Sequence, residues 1–404
     1  MLISNIVLVV TALLTSASAQ SCAKINTRKE WRELTTFEQQ DYFRGVNLLK
    51  KAPSTSNNAN RYEDFVATHL QNVPFAHNIA YFFPWHRQFL RSFELALQQV
   101  LKKPDYTLPY WQWTIDSQAP ERSPLLTPTA FGTNGQGVEK CLLDGAFRNW
   151  TTTQGSSRPR CLKRDFNLGS RIGAFASPEV INSAVMTSRD YVQFRPTIEA
   201  NPHGQVHNGL GGRSGDMSFM FSPNDPIFFL HHAMVDRIWY EFQNAKPANK
   251  LSFGGPSKND GTGTAKLTDN MIPFNVNVQS VMDTRFGCYI YSAGVTVQPR
   301  SFKRKVRRAT EVNPLSVKSD DRSEIQLIRV PAPLDIEYIT RMGLNLTEVR
   351  LSEAKEKLII EDVNKLIMAK EYQSPAALGA LQTGELVQAP SFDDVTPGFT
   401  AKEQ

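Results

Sequence analysis

The chain has 404 residues, of which 41% are hydrophobic and 21% are charged, so it is long enough for one large domain or two ordinary ones and too apolar for a disordered protein. The formal net charge is +6, which leaves nucleic acid open as a partner until the charge is located along the chain. Four cysteines are too few for a disulfide scaffold, but two disulfides can form in an oxidising compartment. The chain also has seven histidines, and histidine is the commonest metal ligand.

The first residues have the pattern of a secretory signal peptide. An apolar run over 2–14 is followed by small residues that end at Ala19, as signal peptidase requires. A membrane anchor is the alternative, although the run is shorter than the about 20 residues of a membrane span. We predict a signal peptide over 1–19 and a secreted, extracellular protein. The sequons at Asn149 and Asn345 are compatible with a glycosylated exterior.

The positive charge is not spread along one face. Residues 300–308 contain six basic residues and no acidic one, whereas 309–404 is acidic overall. A short basic run beside proline, serine and aspartate is typical of an exposed linker, so we expect no nucleic-acid partner and no membrane partner. We predict a core over 20–299, a basic linker over 300–308 and a C-terminal extension over 309–404. A kexin-type protease is expected to cut the linker at 303–308, and a basic loop that is never cut is the alternative.

Hydrophobic periodicity predicts three helices in the core. The first covers 61–70 and the second covers 85–103, where apolar residues recur at steps of three and four. The third covers 225–244, with Asp225 as its N-cap and Pro226 in its first position.

The rest of the pattern predicts a mainly α chain with long loops. Glycine, proline, asparagine and serine are frequent in 115–200 and 245–300, so we predict loops there. In the C-terminal extension, apolar residues at helical spacing predict an amphipathic helix over 351–371.

All seven histidines fall in two short windows. Three lie in 69–86 and four in 203–232: His69, His77, His86, His203, His207, His231 and His232. A single histidine is most often a hydrogen-bonded core residue, but two compact groups with none elsewhere indicate two metal sites. His203 and His207 have the i, i+4 spacing that places both rings on one helix face, and His232 can complete their set.

Ligand chemistry narrows the choice of metal. Six neutral imidazoles without a thiolate or carboxylate suit copper or zinc, whereas non-haem iron normally takes a carboxylate and magnesium and calcium prefer oxygen. The chain has no His-Glu-x-x-His motif, so a zinc protease would lack its general base. Two three-histidine sites with open positions can hold two copper ions, and such a pair can deliver two electrons to dioxygen.

Several motifs resemble those of the type-3 copper family of tyrosinases, catechol oxidases and haemocyanins, and in particular the short secreted tyrosinase-like enzymes of fungi. Residues 82–87 are similar to the first copper signature, and 225–239 are similar to the second. Residues 108–113 resemble the buried aromatic motif, and 289–291 resemble the Tyr-x-Tyr that closes the core. The resemblance covers about residues 25–295. It implies a four-helix-bundle dicopper core in which one helix pair supplies each copper site.

The resemblance also implies which histidines bind copper. One ion would be held by His69, His77 and His86, and the other by His203, His207 and His232. His231 would be a buried neighbour, since consecutive helix positions point about 100° apart and cannot both face one ion. Asp236, one turn after His232, would orient the site, and a surface ion pair with Arg237 is the alternative.

The cysteines depart from the family pattern. In many plant and fungal members a cysteine is bonded to the second histidine of the first site, but here no cysteine lies in 69–86, so that bond cannot form locally. The cysteines are better interpreted as disulfides, Cys141 with Cys161 and Cys22 with Cys288, although four cysteines allow three pairings.

Three further positions bear on the reaction that the resemblance implies. Glu199 matches the family glutamate that holds a water near the substrate. Gly204 stands where strong phenol hydroxylases often carry an asparagine, and Phe219 stands at the gate position, where a bulky ring resembles catechol oxidases. We therefore predict a catechol oxidase that converts o-diphenols, or o-aminophenols, to o-quinones with reduction of O2 to water, and weak or absent monophenol hydroxylation.

Alternatives remain open at this point. A full tyrosinase shares the same six ligands, a haemocyanin-like oxygen carrier uses the same copper pair without turnover, and a hydrolase with two zinc ions belongs to a third class. In longer relatives a C-terminal domain covers the copper site until proteolysis removes it. The extension over 309–404 is therefore either such a lid or propeptide, or a permanently attached tail.

Overall fold

The structure is a computed structural model that describes residues 22–295 and 327–369. The predicted signal peptide and basic linker lie outside these residues, and so does much of the C-terminal extension. Among the described residues, no helix is long and apolar enough to cross a membrane.

Ten α-helices lie in the part of the chain that the structure describes. They are α1 Thr36–Lys51, α2 Arg61–Gln71, α3 Val73–Ala76, α4 Phe82–Leu101, α5 Pro178–Thr187, α6 Tyr191–Ile198, α7 Gly204–Gly211, α8 Ile227–Ala245, α9 Ile336–Arg341 and α10 Leu346–Met368. A π-helical turn, Glu199–His203, joins α6 to α7.

The strands in the described residues are short, and their residues Met271, Tyr289 and Tyr291 are buried in the main hydrophobic core. They form three two-stranded sheets: β1 Asn26–Arg28 with β6 Tyr289–Tyr291, β2 Thr151–Thr152 with β3 Arg160–Cys161, and β4 Asn270–Met271 with β5 Val276–Asn277. The first pair is parallel and joins the two ends of the core, and the other two are antiparallel. The mainly α fold with little β structure is therefore confirmed.

Helices α4 and α8 form the centre of the bundle. They pack against each other, while α1 packs on α4, and α5 packs between α8 and α10. The contact between α4 and α8 is aromatic, since Phe93 and Phe229 stack with their planes 4° apart. Because apolar residues recur at helical spacing on both helices, each has a wide buried face, and burial of this area is the main stabilising contribution.

Beside this aromatic contact, a buried ion pair joins the same two helices. The Nε of Arg87 on α4 donates to Oδ1 of Asp236 on α8 at 2.6 Å. Oδ2 of Asp236 accepts from the hydroxyls of Tyr289 and Tyr291 at 2.7 and 2.6 Å. Both charges are almost wholly removed from water, so their stability depends on these hydrogen bonds being complete.

The expected alternative for Asp236, a surface ion pair with Arg237, is wrong. Arg237 instead pairs with Glu241 at 2.6 Å, one turn further along α8. The reason is geometric, because adjacent helix positions point in different directions and Asp236 faces α4.

Helix boundaries differ from the sequence predictions in several places. The third predicted helix begins at Ile227 with Pro226 as its N-cap, one residue later than expected, because the carboxylate of Asp225 is bonded to buried Arg164. Oδ1 of Asp225 still accepts from the N–H of Ile227 at 3.2 Å. The predicted C-terminal helix starts earlier, at Leu346, where Asn345 caps it.

The prediction of loops over 115–200 is wrong at its end, where α5 and α6 lie. Helix α5 has apolar residues at helical spacing, among them Val180, Ile181 and Ala184, and they are buried. Apolar residues at helical spacing were visible in the sequence, but the surrounding prolines and polar residues favoured the prediction of a loop.

Both predicted disulfides are confirmed. Cys141 bonds to Cys161, and Cys22 bonds to Cys288. The second bond lies beside the β1–β6 pair, where the N–H of Asn26 donates to the carbonyl of Cys288 at 3.0 Å, so it fastens the start of the core to its end.

Removing one member of the buried ion pair tests its contribution. We expect Asp236→Ala to lower the free energy of unfolding by about 3–5 kcal/mol, since Arg87 would stay buried without its partner. Urea unfolding followed by circular dichroism measures this loss. The control is Asp362→Ala, which removes a carboxylate from the exposed pair with Lys365 on α10 and should leave the midpoint unchanged. Equal midpoints for the two variants would contradict the expectation.

Candidate metal centre

The first histidine cluster is assembled from three consecutive helices. His69 lies in the last turn of α2, His77 follows α3 directly, and His86 lies in the second turn of α4. The ring centroids of His77 lie 4.9 Å from those of His69 and of His86. All three side chains are buried, and one ring nitrogen from each falls within 4.8 Å of the others. This is the size of a site for one metal ion.

The second cluster combines the π-helical turn, α7 and α8. His203 ends the π-turn and His207 lies one turn later, with ring centroids 4.6 Å apart. His231 and His232 come from α8, and ring nitrogens of all four histidines lie within 4.8 Å of one another. The structure thus brings together every histidine that the sequence analysis singled out.

The two neighbouring histidines of α8 point in different directions. The His232 ring stacks on His86 of the first cluster, with centroids 4.4 Å apart, and its Nε2 lies 3.2 Å from Nε2 of His207. His231 instead approaches Trp113, with centroids 6.2 Å apart. His231 also contacts His203 and His207 of its own cluster, with centroids 5.4 and 4.8 Å apart. His232 therefore contacts both clusters, whereas the histidines that His231 contacts within the described residues all belong to the second cluster. This placement supports our proposal that His232 is the ligand and His231 its neighbour.

The π-helical turn was not predicted. The i, i+4 spacing predicted His203 and His207 on one regular helix. Pro202 has no N–H to donate, so the regular hydrogen-bond pattern of an α-helix cannot continue through it. The Nδ1 of His203 lies 2.9 Å from the carbonyl oxygen of Glu199, at the start of the turn. Pro202 was the available signal.

Backbone carbonyls orient four of the rings. The Nδ1 atoms lie 2.7–2.9 Å from carbonyl oxygens, in the pairs His69–Met220, His86–Phe82, His203–Glu199 and His207–Met217. Because a carbonyl oxygen only accepts, each Nδ1 carries the hydrogen and Nε2 is left as the bare nitrogen. This is the tautomer that binds a metal through Nε2.

Several of these ring nitrogens are buried without a partner, in a way that matches a metal site. Within the described residues, the Nε2 atoms of His69, His86 and His203 and the Nδ1 atom of His77 have no hydrogen-bond partner. A buried polar atom without a partner is costly, and a transition-metal ion in each cluster would satisfy those that belong to it. The donor set therefore fits copper.

Burial keeps the imidazoles neutral. It lowers the pKa of His69 to about 3 and the pKa of His207 to about 4. For the remaining five histidines, burial likewise lowers the pKa well below the usual value. Neutral imidazole is the form that coordinates metals, so both clusters are ready to bind across the physiological pH range.

Two phenylalanines that the sequence analysis did not assign enclose the clusters. Each ring contacts one histidine from each cluster, with centroids 4.2–5.1 Å apart, in the pairs Phe82–His86, Phe82–His203, Phe228–His69 and Phe228–His232. They exclude water and fix the ring positions by close packing. Nothing in their spacing distinguishes them from other core phenylalanines.

Glu199, a predicted site residue, has both carboxylate oxygens occupied by protein groups. One oxygen binds Arg195, and the other accepts from the N–H of Asn78 at 2.5 Å. Burial raises the pKa of Glu199 to about 6, although Arg195 and the Asn78 N–H oppose this shift. Because Asn78 follows His77, this carboxylate also connects the two clusters.

Phe219, the predicted gate residue, lies between the two carbonyls that orient one histidine of each cluster. Its neighbours Met217 and Met220 are bonded to His207 and His69 respectively. The half-buried ring of Phe219 stacks on Phe221, with centroids 4.9 Å apart. The gate position and the orientation of the histidines therefore depend on the same short segment.

Two groups of buried neutral imidazoles, packed ring on ring inside a helical bundle, define a protein built to hold a pair of transition-metal ions. Similarity to known proteins agrees. A family model described as the common central domain of tyrosinase matches residues 59–245. A second model, the UTP23 sensor motif, matches residues 303–318, which overlap the predicted basic linker and lie outside the described residues.

Fungal relatives share most of the chain. The tyrosinase-like protein phomQ1 of Diaporthe leptostromiformis is 33% identical over 317 residues, covering 69% of this chain and 80% of the relative. The tyrosinase ustQ of Aspergillus flavus is 31% identical over 306 residues, covering 69% and 82%. A solved variant of the polyphenol oxidase from Thermothelomyces thermophila is 27% identical with a TM-score of 0.57, covering 66% of this chain and 89% of that one.

The chain therefore belongs to the tyrosinase family and is a type-3 copper polyphenol oxidase. The family is a dinuclear copper family, and the two histidine clusters are able to hold the two copper ions.

Metal content distinguishes a ligand from a neighbour. We expect His207→Ala to reduce the copper bound per chain to about half, because two remaining imidazoles are a poor site for an ion. The matched control is His231→Asn, which should keep the full copper content, since consecutive positions of α8 point about 100° apart and His232 is the one proposed to face the ion. Inductively coupled plasma mass spectrometry gives the content, and circular dichroism shows that each variant is folded. Full copper in His207→Ala, or an equal loss in both variants, would contradict the assignment.

Proposed function

We propose that this enzyme oxidises o-diphenols, or o-aminophenols, to o-quinones and hydroxylates monophenols weakly or not at all. In this reaction, two diphenols lose two hydrogen atoms each while one O2 is reduced to two water molecules. A bound copper pair would supply the redox chemistry that links oxidation of the diphenol to reduction of O2. We further propose that the enzyme is secreted and acts on small phenols outside the cell.

The protein's own residues hold and shield this chemistry. In our proposal, His69, His77 and His86 hold one ion, and His203, His207 and His232 hold the other. Phe82 and Phe228 keep water out, which strengthens electrostatic interactions within the site.

The observation that carries the preference for diphenols is the bonding of Glu199. A monophenol must lose its proton before its ring is hydroxylated, and this step needs a base or a water held by polar groups. Arg195 and the N–H of Asn78 each bind one oxygen of Glu199, and a water held by its remaining lone pairs would find no second polar side chain at Gly204. A catechol ionises more readily, so its oxidation depends less on such a base.

Relative rates on matched substrates test this preference. We expect the copper-loaded enzyme to oxidise dopamine about a hundredfold faster than tyramine, since general-base assistance typically contributes at least this factor. Initial quinone formation, followed optically with oxygen consumption as a second readout, gives both rates.

A substitution refines the same test. Because a Cβ atom at position 204 would lie 3.2 Å from Cδ1 of Leu334, Gly204→Asn is made in a Leu334→Ala background. There it supplies the missing polar group and should raise the tyramine rate relative to the dopamine rate. Equal wild-type rates on the two substrates would instead favour a full tyrosinase, the activity named for the relative ustQ. Reversible O2 binding without turnover would favour an oxygen carrier.

We also propose that the C-terminal segment over 327–369 covers the site. A Cβ atom built on Gly204 would lie 3.2 Å from Cδ1 of Leu334 and 3.6 Å from the hydroxyl of Tyr338. Near the gate, the guanidinium of Arg341 lies 4.4 Å from the ring centroid of Phe219. Gly204 therefore lies against Tyr338 of α9, and Phe219 lies beside Arg341 of the same helix.

The turn after α9 extends this cover towards the first cluster. Nδ2 of Asn78 donates to the carbonyl of Gly343 at 3.3 Å, and Met342 packs with Ala200, beside Glu199, in a small apolar cluster. These contacts support a cover that restricts the approach of a phenol to the copper pair.

Weakening the cover should increase activity. We expect the double variant Leu334→Ala/Tyr338→Ala to raise kcat/KM for dopamine several-fold, because both side chains that lie over Gly204 are shortened. The matched control is Ile336→Ala on the same helix, whose side chain is 63% exposed and should leave kcat/KM unchanged. A double variant no more active than the control would argue for a tail without a covering role.

A further inference from the structure

Helix α10 is attached to the core differently from α9. Its buried residues Ile359, Ile360 and Val363 belong to the main hydrophobic core, whereas α9 belongs to the small apolar cluster over the site. Helix α10 packs on α5 and on the π-helical turn that carries His203. Its removal would expose core side chains, so burial of apolar surface favours its retention.

One buried carboxyl group lies in this interface. Oε2 of Glu356 accepts from Nδ2 of Asn201 at 2.5 Å and from Nε2 of Gln205 at 2.7 Å. Within 22–295 and 327–369, its Oε1 is buried and has no hydrogen-bond partner. The neighbouring cations Arg350 and Lys357 pair with Glu353 and Glu361 instead. This environment accommodates a neutral carboxylic acid better than a carboxylate.

The charge environment agrees with this preference. Burial raises the pKa of Glu356 to about 7, against a partial opposing effect of the two amides, and the nearby charge of Glu353 raises it further. Other titratable or charged groups lie on α10 itself and on the two elements packed against it, α5 and the π-helical turn. These groups are Glu179 on α5, Glu199 and His203 on the π-helical turn, and Arg350, Lys355 and Lys357 on α10 itself.

We infer that residues 327–369 remain on the core as a non-covalent subunit after the linker is cut, and that ionisation of Glu356 weakens this attachment. The inference rests on the proposed covering role of the same segment and adds how the cover is held. When α10 leaves the core, Glu356 becomes hydrated and regains an ordinary acidity. The docked state therefore holds the proton more strongly than the free state, and docking is favoured at low pH.

The sign of the pH dependence follows from this difference. The contribution of Glu356 to docking is fully present below the ordinary value of 4.5 and is lost as the pH rises through about 7. Below this window the cut enzyme stays covered, and above it the cover is released more readily.

A cut protein tests both parts of the inference. A specific protease site replaces 303–308 in the full chain, the copper-loaded protein is cut, and the fragment that contains α10 is followed by gel filtration at about pH 5.5 and about pH 8.5. We expect the fragment to co-elute with the core at the lower pH. We expect the dissociation constant, from titration of labelled fragment, to increase on the order of tenfold or more at the higher pH.

Variants assign the pH effect to Glu356. Glu356→Gln keeps an acceptor for the two amides without a titrating proton, so its dissociation constant should be nearly independent of pH. Glu356→Leu, which removes the carboxyl altogether, serves as a second variant with the same expectation. In the matched control Glu361→Gln, on a 45% exposed side chain of the same helix, the wild-type pH dependence should persist.

Two results would overturn the inference. One is separation of the fragment from the core at about pH 5.5 as soon as the linker is cut. The other is an equal pH dependence in wild type and both Glu356 variants. Both measurements record binding and need no substrate, so an enzyme that fails to oxidise diphenols but shows the expected binding would refute the proposed function alone.

Discussion

The buried ion pair between Arg87 and Asp236 is the interaction on which the copper site depends. Arg87 follows His86 on α4, and Asp236 lies one turn after His232 on α8, so the pair sets the spacing of the two helices beside the rings that stack between the clusters. Buried Arg28 also lies 3.5 Å from Oδ2 of Asp236, and the buried charges are tolerated because Tyr289 and Tyr291 complete the hydrogen bonds of the carboxylate. Strand β6, at the end of the core, thereby supports α4 and α8 at its centre. The distance between the two histidine clusters follows from how these helices pack.

Backbone carbonyls determine which ring nitrogen four of the histidines offer to a metal. Met217 and Met220 orient one ring from each cluster, and Phe219 lies between them. A movement of this segment would change both the opening of the site and the direction of two bare nitrogens. A substitution near Phe219 can therefore change the orientation of the histidines as well as the access of substrate, because the same backbone segment supports both.

The C-terminal segment has two structural roles in one stretch of chain. Helix α9 lies over Gly204 and the gate through side chains that pack in a small separate cluster, whereas α10 is part of the main core. A cover joined to such an anchor can open without complete loss of the segment. The buried carboxyl group of Glu356 makes the anchor sensitive to acidity, because its contacts within the described residues are with the neutral amides of Asn201 and Gln205.

The histidine clusters, the central helices and the copper chemistry of the family could be predicted from the sequence, whereas the cysteine pairing stayed one of three possibilities until the fold brought Cys22 to Cys288 and Cys141 to Cys161. Histidine clustering, ligand type and hydrophobic periodicity are local properties, and the motifs around His86 and His232 are specific enough to indicate the family. Tertiary structure alone decided the carbonyl partners of the rings, the enclosure by Phe82 and Phe228 and the burial of Glu356. Each of these depends on which distant surfaces pack together, and a single sequence has no local signal that distinguishes one buried phenylalanine or glutamate from another.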